Sequence, residues 1–110
     1  MTVRELVDKL DLKVIAGQGG LDKEIEGGFV GDLLSVVMGK AKKGDVWVTI
    51  QSHINIIAVA TLVEISCIII SEGYKLDLDA EAKANDEDIP IITVGDSSYE
   101  MTKKLSNLGI

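Results

Sequence analysis

Apolar residues return along this chain at two different periods. Between Val3 and Leu10 they fall at Val3, Leu6, Val7 and Leu10, one stripe of a helix that Thr2 or its neighbour can cap. LKVIAG then predicts a short strand ending at Gly17, and GQGGLDKEIEGG predicts a loop or hairpin around a strand candidate from Glu24 to Val30. Helical spacing comes back at Leu33, Leu34, Val37 and Met38, with Asp32 placed as N-cap and Lys43-Gly44 as a basic last turn and stop. VWVTI is β-branched and aromatic, too short for a helix, and bounded by turn residues, so it predicts a buried strand. Ser52 is placed to cap a helix from about His53 to Ile65, in which Ala58 and Ala60 permit close packing. CIIIS is a second buried strand that stops at Glu72-Gly73, and IPIITVG is a third, with Pro90 tolerated near its start. LDLDAEAKANDED between them predicts an exposed acidic helix. Asp96, Ser97 and Ser98 form a capping seam before a last helix, YEMTKKLSNL, and Gly109-Ile110 closes the chain.

Strands alternating with helices predict an α/β domain whose strands are mainly parallel. Strands that are apolar at nearly every position predict a sheet covered on both faces, a single three-layer domain over residues 1–110. Right-handed crossovers then bring the three strand ends to one edge: Thr49–Asn55, Ser71–Tyr74 and Gly95–Ser98. Open sheets of this class seat ligands outside the carboxyl ends of their strands. The candidate ligand contacts are therefore Thr49, Gln51, Ser52, His53 and Asn55, with Glu72, Gly73, Asp96 and Ser97 on the rim.

Composition narrows the function classes. The chain has 110 residues, 46% of them hydrophobic but only 4% aromatic, so Ile, Val, Leu and Ala must fill the core. Eighteen acids face 11 bases and Arg4 is the one arginine, a balance of −7 that argues against nucleic-acid binding. Lys40, Lys42 and Lys43, the one basic cluster, read as a solvated loop. A single cysteine, Cys67, excludes an intrachain disulfide and fits a reducing compartment. No run approaches the roughly 18–20 apolar residues of a membrane span. The N-terminus lacks a signal-peptide core, and a cytoplasmic location is expected.

Gly17-Gln18-Gly19-Gly20 does not complete a dinucleotide fingerprint, because position 22 is Asp22, and no phosphate-binding P-loop pattern occurs. No cofactor and no metal set is expected. His53, the only histidine, stays open between a helix-start or packing role, a ligand or interface contact, and catalysis. The last would need a second titratable group aimed at it, for which Glu72 or Asp96 is the candidate. Trp47 reads as core or dimer interface, and the acidic helix near Asp77–Asp88 as a solvated face.

The run GFVGDLLSVVMGKAKKGDVWVTIQSHINIIAVATLVEISCIIISEGYKLD resembles a DRTGG domain of the stand-alone kind, and the likeness covers nearly the whole chain. The resemblance implies a fold related to the N-terminal domains of HPr kinase/phosphorylase and of the Mur ligases. It also implies a regulatory or dimer-forming module, as in relatives fused to phosphotransacetylases and CBS-domain pyrophosphatases. Stand-alone relatives are often encoded beside iron-only hydrogenase components, which implies a link to anaerobic redox metabolism. The Asp-Arg-Thr turn of the family is here Gln51-Ser52-His53, without the arginine, and its Gly-Gly turn is Ser71-Glu72-Gly73, with one glycine kept. An anion contact by the family arginine therefore does not carry over. Together these features lead us to expect a non-enzymatic regulatory domain, a homodimer, binding a small metabolite or nucleotide at the strand ends. The alternative is a ligand-free accessory partner of an anaerobic redox enzyme, favoured if Trp47, Ile54 or Ile57 is exposed.

Overall fold

A computed structural model describes residues 1–110. In chain order the elements are α1 (Val3–Leu10), β1 (Lys13–Ala16), β2 (Gly27–Val30), α2 (Leu34–Lys40), β3 (Asp45–Thr49), α3 (Asn55–Val63), β4 (Cys67–Ile70), α4 (Leu78–Glu87), β5 (Ile91–Thr93) and α5 (Ser98–Asn107). A short 3₁₀ turn, Gln18–Gly20, follows β1. The strands form one five-stranded sheet in the order β1-β5-β4-β3-β2. The pairs β2–β3, β3–β4 and β4–β5 are parallel, and β1 closes one side antiparallel to β5.

Period-2 alternation inside continuous apolar runs builds two cores, one per sheet face. Trp47, Ile68, Ile70 and Ile91 point to one side, under Val37 of α2, Ile56, Ile57 and Ala60 of α3, and Ala80 and Ala84 of α4. Val46, Val48, Cys67, Ile69 and Ile92 point to the other, under Val3 and Leu6 of α1 and Met101 and Leu105 of α5. Trp47 is core: it is fully buried and its indole N–H donates to the Gly31 carbonyl at 2.9 Å. The acidic helix α4 is solvated outside and held inside by two alanines.

Two expected caps are corrected. Asp32 does not cap α2: the cap position is Leu33, with no side-chain hydrogen bond, and the helix is the short segment Leu34–Lys40. Ser52 does not cap α3, which starts at Asn55 behind Ile54 and ends at Val63. The Asp32 carboxylate bonds the exit of β3 instead, and the Ser52 carbonyl bonds the start of α4. By contrast Thr2 with Glu5 and Ser97 with Glu100 form complete capping boxes for α1 and α5.

Candidate functional site

Because β2 to β5 are parallel, their exits lie at one edge of the sheet, and the polar residues there fall into three groups. The first joins β2 to β3. The Asp32 carboxylate accepts from the Thr49 hydroxyl at 2.9 Å and from the Ile50 amide at 2.8 Å. The Gln51 side-chain amide donates to the Asp32 carbonyl at 2.9 Å, and the Gln51 N–H to the Thr49 hydroxyl at 3.1 Å. Thr49 is fully buried, and its hydroxyl is spent as donor and acceptor within the fold. It positions Gln51 rather than facing solvent.

The second group is the loop from β3 to α3. The Ser52 carbonyl accepts from the Asp77 N–H at 3.1 Å, which ties the loop to the start of α4. Asp77 occupies the cap position of α4 but makes no capping hydrogen bond with its side chain. Its carboxylate lies 2.8 Å from His53 Nδ1 instead. A carboxylate at Nδ1 favours the proton on that nitrogen, so the neutral ring presents Nε2 as an acceptor. The His53 side chain is 67% exposed. The amides of His53, Ile54 and Asn55 donate to no group of the chain, and the Asn55 side chain is also exposed and unpaired.

The third group joins β4 to β5. Ser71 is buried, with its hydroxyl 2.6 Å from that of Ser98. The Glu72 N–H donates to the Asp96 carbonyl at 2.8 Å and the Gly73 N–H to the Val94 carbonyl at 3.0 Å. A Glu72 carboxylate oxygen accepts from the Ser98 N–H at 3.1 Å. Asp96 pairs with Lys104 at 2.7 Å, and this neighbour holds the Lys104 ammonium above its ordinary range. Glu72 and Gly73 turn the chain with consecutive left-handed backbones, φ 64° and 75°.

The edge therefore gathers all the expected contacts but divides their roles. Thr49, Glu72, Asp96 and Ser97 spend their side-chain oxygens on Asp32 and the Gln51 amide, the Ser98 amide, Lys104 and the Glu100 amide in turn, and build the rim. His53, Asn55 and the amides between them keep hydrogen-bonding capacity for something else. The partner aimed at His53 is Asp77, not Glu72 or Asp96. Asp77 was hidden in the sequence because it opens a run of acids that reads as a solvated face. The ring and carboxylate have the geometry of an oriented base, but no serine, threonine or cysteine is hydrogen-bonded to the imidazole. Cys67 lies inside β4, and burial pushes its thiol up to about 12.

Two hollows are lined by other residues, one of them bordering the start of α4. One, of about 490 Å³, sits beside the β1–β5 ladder, between Lys13, Thr93, Lys75 and Glu81. The other, of about 410 Å³, opens at the opposite edge of the sheet, between Lys23, Glu24, Glu26, Lys43, Glu64 and Glu87. Volume alone favours these hollows as seats for a ligand, whereas unspent directional groups favour the His53 loop. Lys23 in the second hollow already donates to the Asp88 carbonyl at 2.6 Å, and partial burial lowers its pKa.

The DRTGG domain family model matches residues 5–108. The chain belongs to the DRTGG domain family. The fold agrees. A crystal structure of the CBS and DRTGG domains of the regulatory region of Clostridium perfringens pyrophosphatase, complexed with its activator diadenosine tetraphosphate, superposes with a TM-score of 0.69 at 14% identity. The match covers 93% of this chain and 44% of that one, so the present domain spans less than half of the pyrophosphatase region. No curated protein matches the chain. In this DRTGG domain the turns after β3 and β4, Gln51-Ser52-His53 and Ser71-Glu72-Gly73, lie side by side, because the Ser71 N–H pairs with the Thr49 carbonyl at 3.0 Å.

Proposed function

We propose that this DRTGG domain is a non-enzymatic regulatory module that binds a small metabolite or nucleotide at the carboxyl edge of its sheet, and that it works as a homodimer in the cytoplasm. The observation that carries the reading is the His53 loop. An exposed imidazole held at Nδ1 by Asp77, an unpaired Asn55 and four consecutive free amides, Ser52 to Asn55, stand beside turns whose side chains are bonded within the fold. Such groups fix a ligand by direction rather than by charge, which suits a chain of net charge −7. The nucleotide activator held by the pyrophosphatase regulatory region supports a nucleotide as the class to try first. Ser52 and Gly73 shape the approach, and Gln51, Glu72, Asp96 and Ser97 fix the rim.

A thermal-shift panel of adenine and uridine nucleotides, diadenosine tetraphosphate, acetyl-CoA and common metabolites tests this. A ligand at 100 times its dissociation constant stabilises by about 2.7 kcal/mol. Each kcal/mol moves the melting point of a domain this size by roughly 4–8 °C. We expect one class to give such a shift and His53→Ala, alone or with Asn55→Ala, to remove it. A shift that both variants keep in full would reject the site.

A second reading has some support from the surface. Trp47 and Ile57 are fully buried and do not favour it, but Ile54, Leu33 and Met38 are exposed. On this reading the domain is a ligand-free accessory of an anaerobic redox enzyme. Absence of any redox-enzyme subunit from a native-extract pull-down counts against it.

A further inference from the structure

The outward side of α3 departs from the charged surface around it. The helix, NIIAVATLV, carries no charge. Its inward arc is Ile56, Ile57, Val59 and Ala60, all buried. At 100° per residue the opposite arc holds Ile54, Asn55, Ala58, Thr61 and Leu62, all exposed, with Ala58 at its centre. A helix face left in water is ordinarily polar and charged. Here Ile54 is 42% and Leu62 68% exposed. On neighbouring α2, Val36 and Met38, at 39% and 50%, flank the buried Val37 on opposite sides, so one of the two turns toward α3. An uncharged, small-centred arc beside exposed aliphatics is a surface that another helix can approach closely.

The charges flanking this face indicate what covers it. Helix α3 lies between α2 and α4 and touches both. All three helices connect parallel strands, so they run the same way. Lys40 and Lys42 stand at the C-terminal end of α2 and just beyond it, and neither has an ion-pair partner. Asp86, near the C-terminal end of α4, also has none. One flank is thus basic, the other acidic, and the middle apolar.

We propose that a second copy of this chain covers the face, related by a two-fold axis in the plane of the interface and running along α3. This operation lays α3 on α3 and sets α2 against the partner's α4. Lys40 and Lys42 then meet Asp86 of the partner subunit, and symmetry makes the contact twice. An axis across α3 in the same plane would set α4 on α4, acid against acid, and α2 on α2. The charge pattern selects the first arrangement, because like charges brought together across an interface are costly. The proposal locates the homodimer proposed above and rests on that reading.

Sedimentation equilibrium of the full chain at tens of micromolar tests both, and separates them. The wild type should be a dimer, and Ala58→Arg a monomer with an unchanged circular-dichroism spectrum. Lys40→Glu with Lys42→Glu should weaken the dimer about tenfold or more, and adding Asp86→Lys should restore much of the affinity. A monomeric wild type overturns the homodimer and this interface together. A dimer unaffected by Ala58→Arg and by the charge reversal overturns this interface alone. If Ala58→Arg does not fold, the lysine reversal decides, since both lysines are exposed and unpaired.

Discussion

One carboxylate, Asp32, holds two strand exits together by accepting from Thr49 and Ile50 at 2.9 and 2.8 Å. Thr49→Val keeps the shape and removes both the donor to Asp32 and the acceptor for the Gln51 amide. We expect it to cost about 1–2 kcal/mol in urea denaturation, because water reaches Asp32 but not the buried threonine. The His53–Asp77 pair differs: both side chains are largely exposed, so the contact adds under about 1 kcal/mol, and its value lies in aiming the ring. Cys67 shows a third kind of residue effect. Burial raises its pKa to about 12, while an unfolded thiol titrates near 8.5. Between these values the unfolded chain has lost the proton and the folded chain keeps it, so stability falls as pH rises. Relative to Cys67→Ala, the wild type should lose about 1.4 kcal/mol per pH unit from about pH 9 upward. A stability difference that does not change with pH would mean that the thiol is not held in the protonated form.

At the scale of elements, glycines with the same backbone sign carry different burdens. Gly17 has φ 74°, and a Cβ there would run into the backbone carbonyl of Ile89. Gly73 has φ 75° and nothing within 4 Å of that position. Gly73→Ala should cost roughly 1–2 kcal/mol for the left-handed backbone alone. Gly17→Ala should cost well beyond that, and equal costs in denaturation would contradict the packing of the β1 exit on β5. The three inner strands, their parallel direction and the convergence of their exits were legible in the sequence because apolar runs bounded by turn residues have few alternatives. The expected hairpin around Glu24–Val30 does not form, since β1 and β2 stand at opposite edges of the sheet. The helix starts were less legible. Asp32 and Ser52 have the right chemistry for caps, but the neighbouring strand exit bonds Asp32 and the start of α4 takes the Ser52 carbonyl. Asp77 was out of reach for the same reason. Its partnership with His53 spans 24 positions and depends on how α4 enters the layer. Gathering the site residues needed only topology, whereas telling rim from contact needed the hydrogen bonds.

At the scale of the molecule, the sheet separates two ends with different character. The carboxyl edge has self-bonded turns around one loop of unspent donors, and the opposite edge has the 410 Å³ hollow lined by carboxylates and lysines. The three helices on one face leave an uncharged stripe between a basic and an acidic flank. A regulatory domain of this design would read a ligand at one edge and pass the result to whatever covers α3, which starts in the same loop that holds His53. The most direct test of the ligand site is an amide-by-amide NMR titration of the full chain with diadenosine tetraphosphate and with the compound giving the largest melting shift. Ligand binding at the His53 loop should give saturable changes centred on the amides of His53, Ile54 and Asn55, absent in His53→Ala. Changes centred on Lys23, Gly44, Glu64 and Ser66 instead, or none at any amide, would contradict it.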